Sequence, residues 1–123
     1  MKNKGPLSGI TVIDLTAMIS GPVCTMMLGD QGADVIKVEP LTGELTRKVG
    51  KQKNGMTTSF LCANRSKRSI TLNLKDKKGI NILKKLIKNA DVLVQNFRPG
   101  TMKRMGLNYE EIKKINKEII YAS

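Results

Sequence analysis

DVLVQNFRPGTMKRMGL, residues 91–107, is the stretch that decides the fold. Val92, Leu93 and Val94 form an unbroken apolar run, the pattern of a parallel strand covered on both faces. Asn96-Phe97-Arg98-Pro99-Gly100 ends that run with an amide, an aromatic plate and a guanidinium, followed by two residues that stop a strand. Arg98, Lys103 and Arg104 then place three cations within seven residues. Open α/β sheets bind ligands at the carboxyl ends of their strands. The chemistry of this turn suits an anionic ligand carrying a flat ring, such as a nucleotide. The same residues also read as an ordinary strand-to-helix loop with solvated cations.

Outward from this stretch the chain alternates strand and helix patterns. Ile10–Leu15 reads as the first strand and Thr16–Gly21 as its exit loop. Pro22 suits the first position of a helix, where its missing N–H costs nothing. Val23–Gln31 is apolar nearly all round, which predicts a deeply buried helix, with Gly32 as its left-handed C-terminal cap. Ala33–Glu39 is the second strand. Pro40–Lys67 is polar and lacks clean periodicity, as functional or mobile loops do, with a helical turn near Met56–Cys62. Ser69–Leu74 alternates as a third strand. Asp76 caps a helix that places Ile80, Leu83, Leu86, Ile87 and Ala90 on one face. After the fourth strand, Asn108 and Glu111 form a capping-box pattern with Leu107 and Ile112 at the hydrophobic-staple positions. Ile119-Ile120-Tyr121 begins a fifth strand. Strands alternating with helices imply right-handed crossovers and a Rossmann-like doubly wound parallel sheet, in one domain truncated after its fifth strand.

Composition bounds the function. The 123 residues carry 22 Lys and Arg against 10 Asp and Glu, a net charge of +12. That balance favours anionic partners and keeps nucleic acid under consideration. The lysines, however, fall at helix-face spacing (Lys77, Lys78, Lys84, Lys85, Lys88; Lys113, Lys114, Lys117), the pattern of a solvated face, so nucleic acid is not the expected partner. The lack of histidine removes imidazole bases and Ser-His triads. Cys24 and Cys62 are too few and too distant to suggest a zinc site or a disulfide framework, and no metal is expected. No apolar run approaches a membrane span, and Met1-Lys2-Asn3-Lys4 is followed by Gly5-Pro6, not a signal-peptide core. The expectation is a soluble chain of the reducing cytoplasm, without a membrane partner.

Candidate sites fall at the strand ends: Thr16–Pro22, Glu39–Pro40, Asn73–Lys75 and Asn96–Arg104. The first of these loops has only Gly21, so neither G-x-G-x-x-G nor a Walker A loop is present. The helix start after Gly21 offers orphan N–H groups to an anion, a weak signal by itself.

Five ordered motifs carry a resemblance: Pro6-Leu7-Ser8-Gly9-Ile10, Gly21-Pro22, Gly32–Glu39, Asn64–Ile70 and Asn96–Gly100. Together they resemble the amino-terminal part of the class III CoA-transferases, the family of formyl-CoA transferase, carnitine CoA-transferase and α-methylacyl-CoA racemase. The resemblance covers essentially the whole chain. It implies a Rossmann-like domain that binds coenzyme A or acyl-CoA, acts with a carboxylate acceptor, and belongs to an interlocked homodimer. Carried over by position, the CoA contacts are Ile19 and Ser20, then Leu72, Asn73, Leu74 and Lys75, then Asn96, Phe97 and Arg98, and Arg104. Arg104 and Lys75 would meet phosphates; Leu72 and Phe97 would flank the adenine. Leu72 reads equally as core, and Lys75 as a solvated helix-start lysine.

In such enzymes an aspartate attacks the acyl-CoA, giving a mixed anhydride and then an enzyme–CoA thioester. That aspartate is expected beyond the matched segment, so no catalytic residue is assigned here and the chain reads as a fragment, inactive alone. Formyl-CoA transferases carry Gln where this chain has Ile19 and Arg where it has Pro40, so formyl transfer is not expected and one phosphate contact is missing. Asn96-Phe97 and the long Pro40–Lys67 stretch resemble transferases more than racemases. The alternatives are part of an acyl-CoA racemase and a non-catalytic remnant.

Overall fold

The computed structural model describes residues 4–123; Met1–Asn3, part of the leader reading above, lies outside them. Five parallel strands make the central sheet: β1 (Thr11–Asp14), β2 (Asp34–Glu39), β5 (Lys67–Thr71), β6 (Val92–Val94) and β7 (Ile120–Ala122). Their order is β5-β2-β1-β6-β7, and every neighbouring pair is parallel. The order reverses at β1, so the topological switch point lies between β1 and β6. This is the doubly wound architecture the alternation predicts.

Successive side chains of a strand face opposite ways, and the sheet shows it. Ile13, Leu15 and Leu93 belong to one apolar cluster with Leu83 and Ile87 of α3 (Lys77–Lys88), Met102 of α4 (Thr101–Arg104) and Ile112 of α5 (Tyr109–Ile115). Val12, Val35 and Val94 belong to the other, together with Leu28 of α1 (Ser20–Asp30). Complete burial of each Leu or Ile contributes about 1.5–3 kcal/mol. The α3 face is therefore the main apolar core.

Several boundaries differ from the sequence reading. The helix α1 starts at Ser20, two residues before Pro22; proline fits there because the first-turn N–H groups have no intrahelical partner anyway. It is not deeply buried all round, since Cys24 and Met27 are exposed. Its end follows expectation: Gly32 has φ +102°, and Ala33 N donates to Leu28 O while Gly32 N donates to Gly29 O, the paired bonds of a Schellman end. The strand read at Ser69–Leu74 is β5 and runs from Lys67 to Thr71. Lys67 pairs with Val35 at its start, while Asn73 turns the chain, its Oδ1 accepting Lys75 N. Asp76 caps α3 through Lys78 N. Asn108 begins α5 but makes no side-chain cap bond, and Glu111 pairs with Lys114 instead, so the capping box is not formed. The staple residues Leu107 and Ile112 are both buried.

Pro40–Lys67 is more structured than its composition suggests. It holds a 3-10 turn (Leu45–Arg47), a hairpin of β3 (Gln52–Lys53) and β4 (Met56–Thr57), and α2 (Thr58–Asn64). Asn54 and Gly55 both have positive φ, as a two-residue hairpin turn of the mirror-image type requires. Thr57 caps α2, its hydroxyl accepting Phe60 N.

The start of α3 presses directly on the exit of β5. A Cβ added to Gly79 would lie 2.1 Å from the main-chain oxygen of Asn73, so glycine is required there. The Gly79→Ala substitution is expected to cost about 1–3 kcal/mol through overpacking. Ile82→Ala, on the exposed side of the same helix, is expected to cost less than about 1 kcal/mol. Urea unfolding of both variants checks this; equal midpoints would mean the contact is looser than described.

Candidate functional site

The exits of β1, β2, β5 and β6 converge at the carboxyl edge of the sheet around a cleft of about 1340 Å³. Its walls come from Leu15–Ala17, Lys37–Leu45, Leu72–Lys77, Phe97 and the end of α4, with Ile80 and Lys84 of α3. Leu72, Leu74, Ile80 and Phe97 make it apolar at several points. Lys48, Lys75, Lys77, Lys84 and Arg104 place cations around it. The helix α3 also begins here, so its N-terminal dipole adds to the positive field. The acids Glu39 and Glu44 in the same wall are engaged in internal ion pairs.

Of the sequence-derived contacts, Leu72, Asn73, Leu74, Lys75, Phe97 and Arg104 line this cleft together. Ile19, Ser20, Asn96 and Arg98 are not among its lining residues. Ile19 is the N-cap of α1 and Ser20 its first residue. Asn96 instead ties two loops together, its Oδ1 accepting Ala17 N at 2.9 Å and its Nδ2 donating to Ala17 O at 2.8 Å. One amide thereby bridges the two strand exits at the switch point. Arg98 lies in the exposed turn that leads to α4, where its carbonyl accepts Thr101 N. Arg104 is steadied by a bond from Nη2 to Thr101 Oγ1 at 3.0 Å.

The sequence reading missed Lys48 and Lys84. Lys84 sits among helix lysines spaced like a solvated face, yet it lines the cleft, while Lys85 is exposed. Turning α3 so that Leu83 and Ile87 enter the core carries residue 84 to the rim. Lys48 follows the 3-10 turn, whose position depends on partners distant in sequence.

Behind the cleft wall lies a buried ionic cluster. Asp14 is fully buried; its Oδ1 accepts the Thr16 N–H and hydroxyl, and its Oδ2 accepts Thr25 Oγ1 and Lys67 Nζ. Lys37, adjacent to Asp14 in the β1–β2 register, donates to Thr16 O at 3.0 Å and pairs with Glu44 Oε2 at 2.6 Å. Burial pushes the Lys67 ammonium below the ordinary lysine range, against the pull of Asp14. Arg47 grips Glu39 through two bonds of 2.7 Å and lies over the Phe60 ring, 3.7 Å from its centre. Burial raises the Glu39 pKa, but bonds from Arg47, Ser69 and Glu44 N outweigh it and hold the carboxyl at about 2.

The aspartates all have structural partners: Asp14 in the cluster, Asp30 with Arg65, Asp34 with Arg68, Asp76 at its cap, and Asp91 accepting Thr11 N. Among the described residues no group of His, Cys, Asp and Glu is arranged to hold a metal ion, and no helix is long and apolar enough to cross a membrane.

The cationic, partly apolar cleft lies where open doubly wound sheets take their ligands, outside the carboxyl ends of the strands at the switch point. The chain belongs to CoA-transferase family III, whose family model matches residues 7–123. It is 49% identical over 123 residues to acetyl-CoA:oxalate CoA-transferase of Acetobacter aceti, covering 99% of this chain and 32% of that protein. It is 49% identical over 120 residues to succinyl-CoA:glutarate CoA-transferase of Mus musculus, covering 96% and 28%. The crystal structure of a CAIB/BAIF family protein from Brucella suis superposes with a TM-score of 0.90 at 39% identity, covering 97% of this chain and 32% of that one. The chain thus spans about a third of the length of these relatives.

The Glu39 pKa carries a pH consequence. Its folded value, about 2, lies below the ordinary 4.5, so its stabilising contribution is complete above the unfolded value and is lost as pH falls from about 4.5 through about 2. The Glu39→Gln variant is expected to be less stable than wild type near neutral pH and to show a shallower acid decline across that window. Denaturant midpoints measured from about pH 6 to about pH 2 check it; parallel curves for the two proteins would refute the assignment.

Proposed function

We propose that this chain is the CoA-binding, amino-terminal part of the Rossmann-like domain of a CoA-transferase that moves CoA between carboxylic acids. The observation that carries the reading is the cleft joining Leu72–Lys75 to Phe97 and Arg104, two separate stretches of the chain matched by position to CoA contacts of the family. Its chemistry fits the ligand. CoA brings a flat adenine, several phosphate charges and a long uncharged arm; the cleft offers Phe97, cations from several segments, and apolar walls. Charge-assisted hydrogen bonds of the kind Arg104 and Lys75 would make to phosphate contribute roughly 1.5–3 kcal/mol each. Lys48 and Lys84 bring further positive charge to a site where Pro40 replaces an arginine of the formyl-CoA enzymes.

Within this reading Ile19, Ser20, Asn96 and Arg98 act at the margin of the site. Asn96 contributes by fixing the β1 exit, since both ends of its amide are engaged by Ala17. The transfer itself passes through an acyl anhydride on an aspartate and an enzyme–CoA thioester. The structural partners of the five aspartates here support a binding role for this segment, with the nucleophile elsewhere in the intact enzyme. The substrates are an acyl-CoA and a carboxylate acceptor, the active assembly is a homodimer, and the compartment is the cytoplasm. The relatives that act on succinyl-CoA and acetyl-CoA support the transferase branch over the racemase branch.

The test separates a pocket from a merely basic surface. Arg104→Ala is expected to weaken CoA binding by roughly 1.5–3 kcal/mol. Replacing both Lys85 and Lys88, exposed residues of α3 that together remove more charge, is expected to change it little. Calorimetric titration of CoA at two salt concentrations checks this; if the lysine pair costs as much as Arg104 and affinity tracks net charge, a non-specific polyanion surface replaces the pocket. The chain by itself is expected to give no CoA-transferase turnover, and turnover from pure material would overturn the assignment of the nucleophile.

A further inference from the structure

The turn that leaves β1 is held in a conformation its own residues do not favour. Met18 has φ +72°, a left-handed backbone that is unusual for any residue with a long side chain. Met18 is 47% exposed, so packing alone does not account for the shape. Polar groups from other segments hold the main chain instead. Thr16 O accepts Lys37 Nζ, and Ala17 is gripped at both N and O by Asn96. Met18 N donates to Glu44 Oε1 at 2.9 Å.

Glu44 is well placed to hold this turn. It is buried and lies in the loop after β2. Its Oε1 also accepts the Thr46 hydroxyl at 2.6 Å, and its Oε2 pairs with Lys37 at 2.6 Å. The carboxylate is thus oriented from two sides before it meets Met18. Thr16 and Ala17 on one side and Gly43 to Leu45 on the other all line the cleft. One side chain therefore fixes the register of two cleft walls that lie 26 positions apart in the chain.

We infer that Glu44 is a positioning residue for the CoA site, holding the Ala17–Met18 turn in its left-handed shape and locking the β1-exit wall to the β2-exit wall. This rests on the CoA-binding reading above. Backbone strain of this sort persists where surrounding structure over-determines it, and it clusters at ligand clamps. Without Glu44 the turn relaxes toward an ordinary φ and the wall moves away from the ligand. Because the defect is conformational, a residue that accepts positive φ more readily at position 18 should repair it. Asparagine is several-fold enriched in that region.

The experiment uses the chain and CoA as the probe, with amide exchange read residue by residue in the ligand-free protein. Glu44→Ala removes the Met18 bond together with the Thr46 bond and the Lys37 ion pair. Exchange at Met18 is therefore expected to speed by about tenfold or more beyond any change at Val12 and Ile13, which report the stability lost by the sheet as a whole. The same variant is expected to bind CoA about tenfold more weakly, and adding Met18→Asn to recover at least about half of that loss on a logarithmic scale. Unchanged Met18 exchange, unchanged CoA affinity, or no recovery on adding Met18→Asn would each overturn the inference. If Glu44→Ala accelerates exchange throughout the sheet, Glu44→Gln decides. It keeps the volume but weakens the charge-assisted bond, and an unaltered Met18 rate in it overturns the inference. A wild-type chain that binds no CoA sinks the CoA reading alone, while the exchange result still decides whether Glu44 holds the turn.

Discussion

The Asp14–Lys37 neighbourhood is the constraint on which the carboxyl edge of this sheet depends. Two carboxylates and two ammonium groups, Asp14, Glu44, Lys37 and Lys67, are withdrawn from water together. Removing ions from water is costly, and the cost is offset only where geometry is good and the remaining lone pairs and protons find partners. Here the hydroxyls of Thr16, Thr25 and Thr46, the amide of Asn64 and the carbonyls of Thr16 and Pro22 supply most of them, while Glu44 Oε2 has only its ion pair with Lys37. Loss of one charge would leave its partner buried and unpaired, which generally costs several kcal/mol. The cluster therefore specifies one arrangement of β1, β2, β5, α1 and the Glu44 loop rather than merely adding stability.

That arrangement separates the two faces of the sheet. The α3 side is filled with Leu and Ile. The α1 side has an apolar half, with Val12, Ala33, Val35 and Val94, and an ionic half around Asp14, Lys37 and Lys67. The ionic half lies next to the loops that line the cleft, where an apolar filling would tolerate sliding. Dispersion contacts are not directional, whereas a carboxylate with several donors has few alternatives. Arg47 extends the same logic outward by joining Glu39 to the Phe60 ring. In this way the segment between β2 and β5 becomes part of the wall.

Much of this is legible in the chain. Apolar runs identify β1, β2 and β6, the Gly32 ending follows from its position, and the Asp76 cap from its spacing. Leu72–Lys75, Phe97 and Arg104 are legible through resemblance and meet in one cleft. The differences have a common cause. Charged residues in a strand read as solvent-facing, yet Lys37, Glu39 and Lys67 turn inward because their partners lie in segments up to 53 positions away. The hairpin escapes a periodicity reading although Asn54-Gly55 is a strong turn signal, since its strands are only two residues each and carry no alternation. Asn96 is placed correctly at the strand end, but which way its amide faces is a tertiary property. Lys84 reads as solvated because periodicity identifies the apolar face of a helix without saying what stands at its edge.

The strand order also sets a timetable for assembly. Val12 pairs on one side with Val35 and on the other with Val92, neighbours 23 and 80 positions along the chain. The first pairing closes a short loop and is favoured early; the second must wait for the residues that follow β5 and α3. At a synthesis rate of about 5–20 residues per second, the stretch of about 55 residues from the end of β2 to the end of β6 takes roughly 3–11 s to appear. Throughout that interval the innermost strand of the finished sheet is an outer one, with its main-chain donors and acceptors open to any extended segment nearby. The strand destined for the centre is thus the one exposed to wrong partners while the nascent chain grows, and early closure of β6 onto it is the step that removes the hazard.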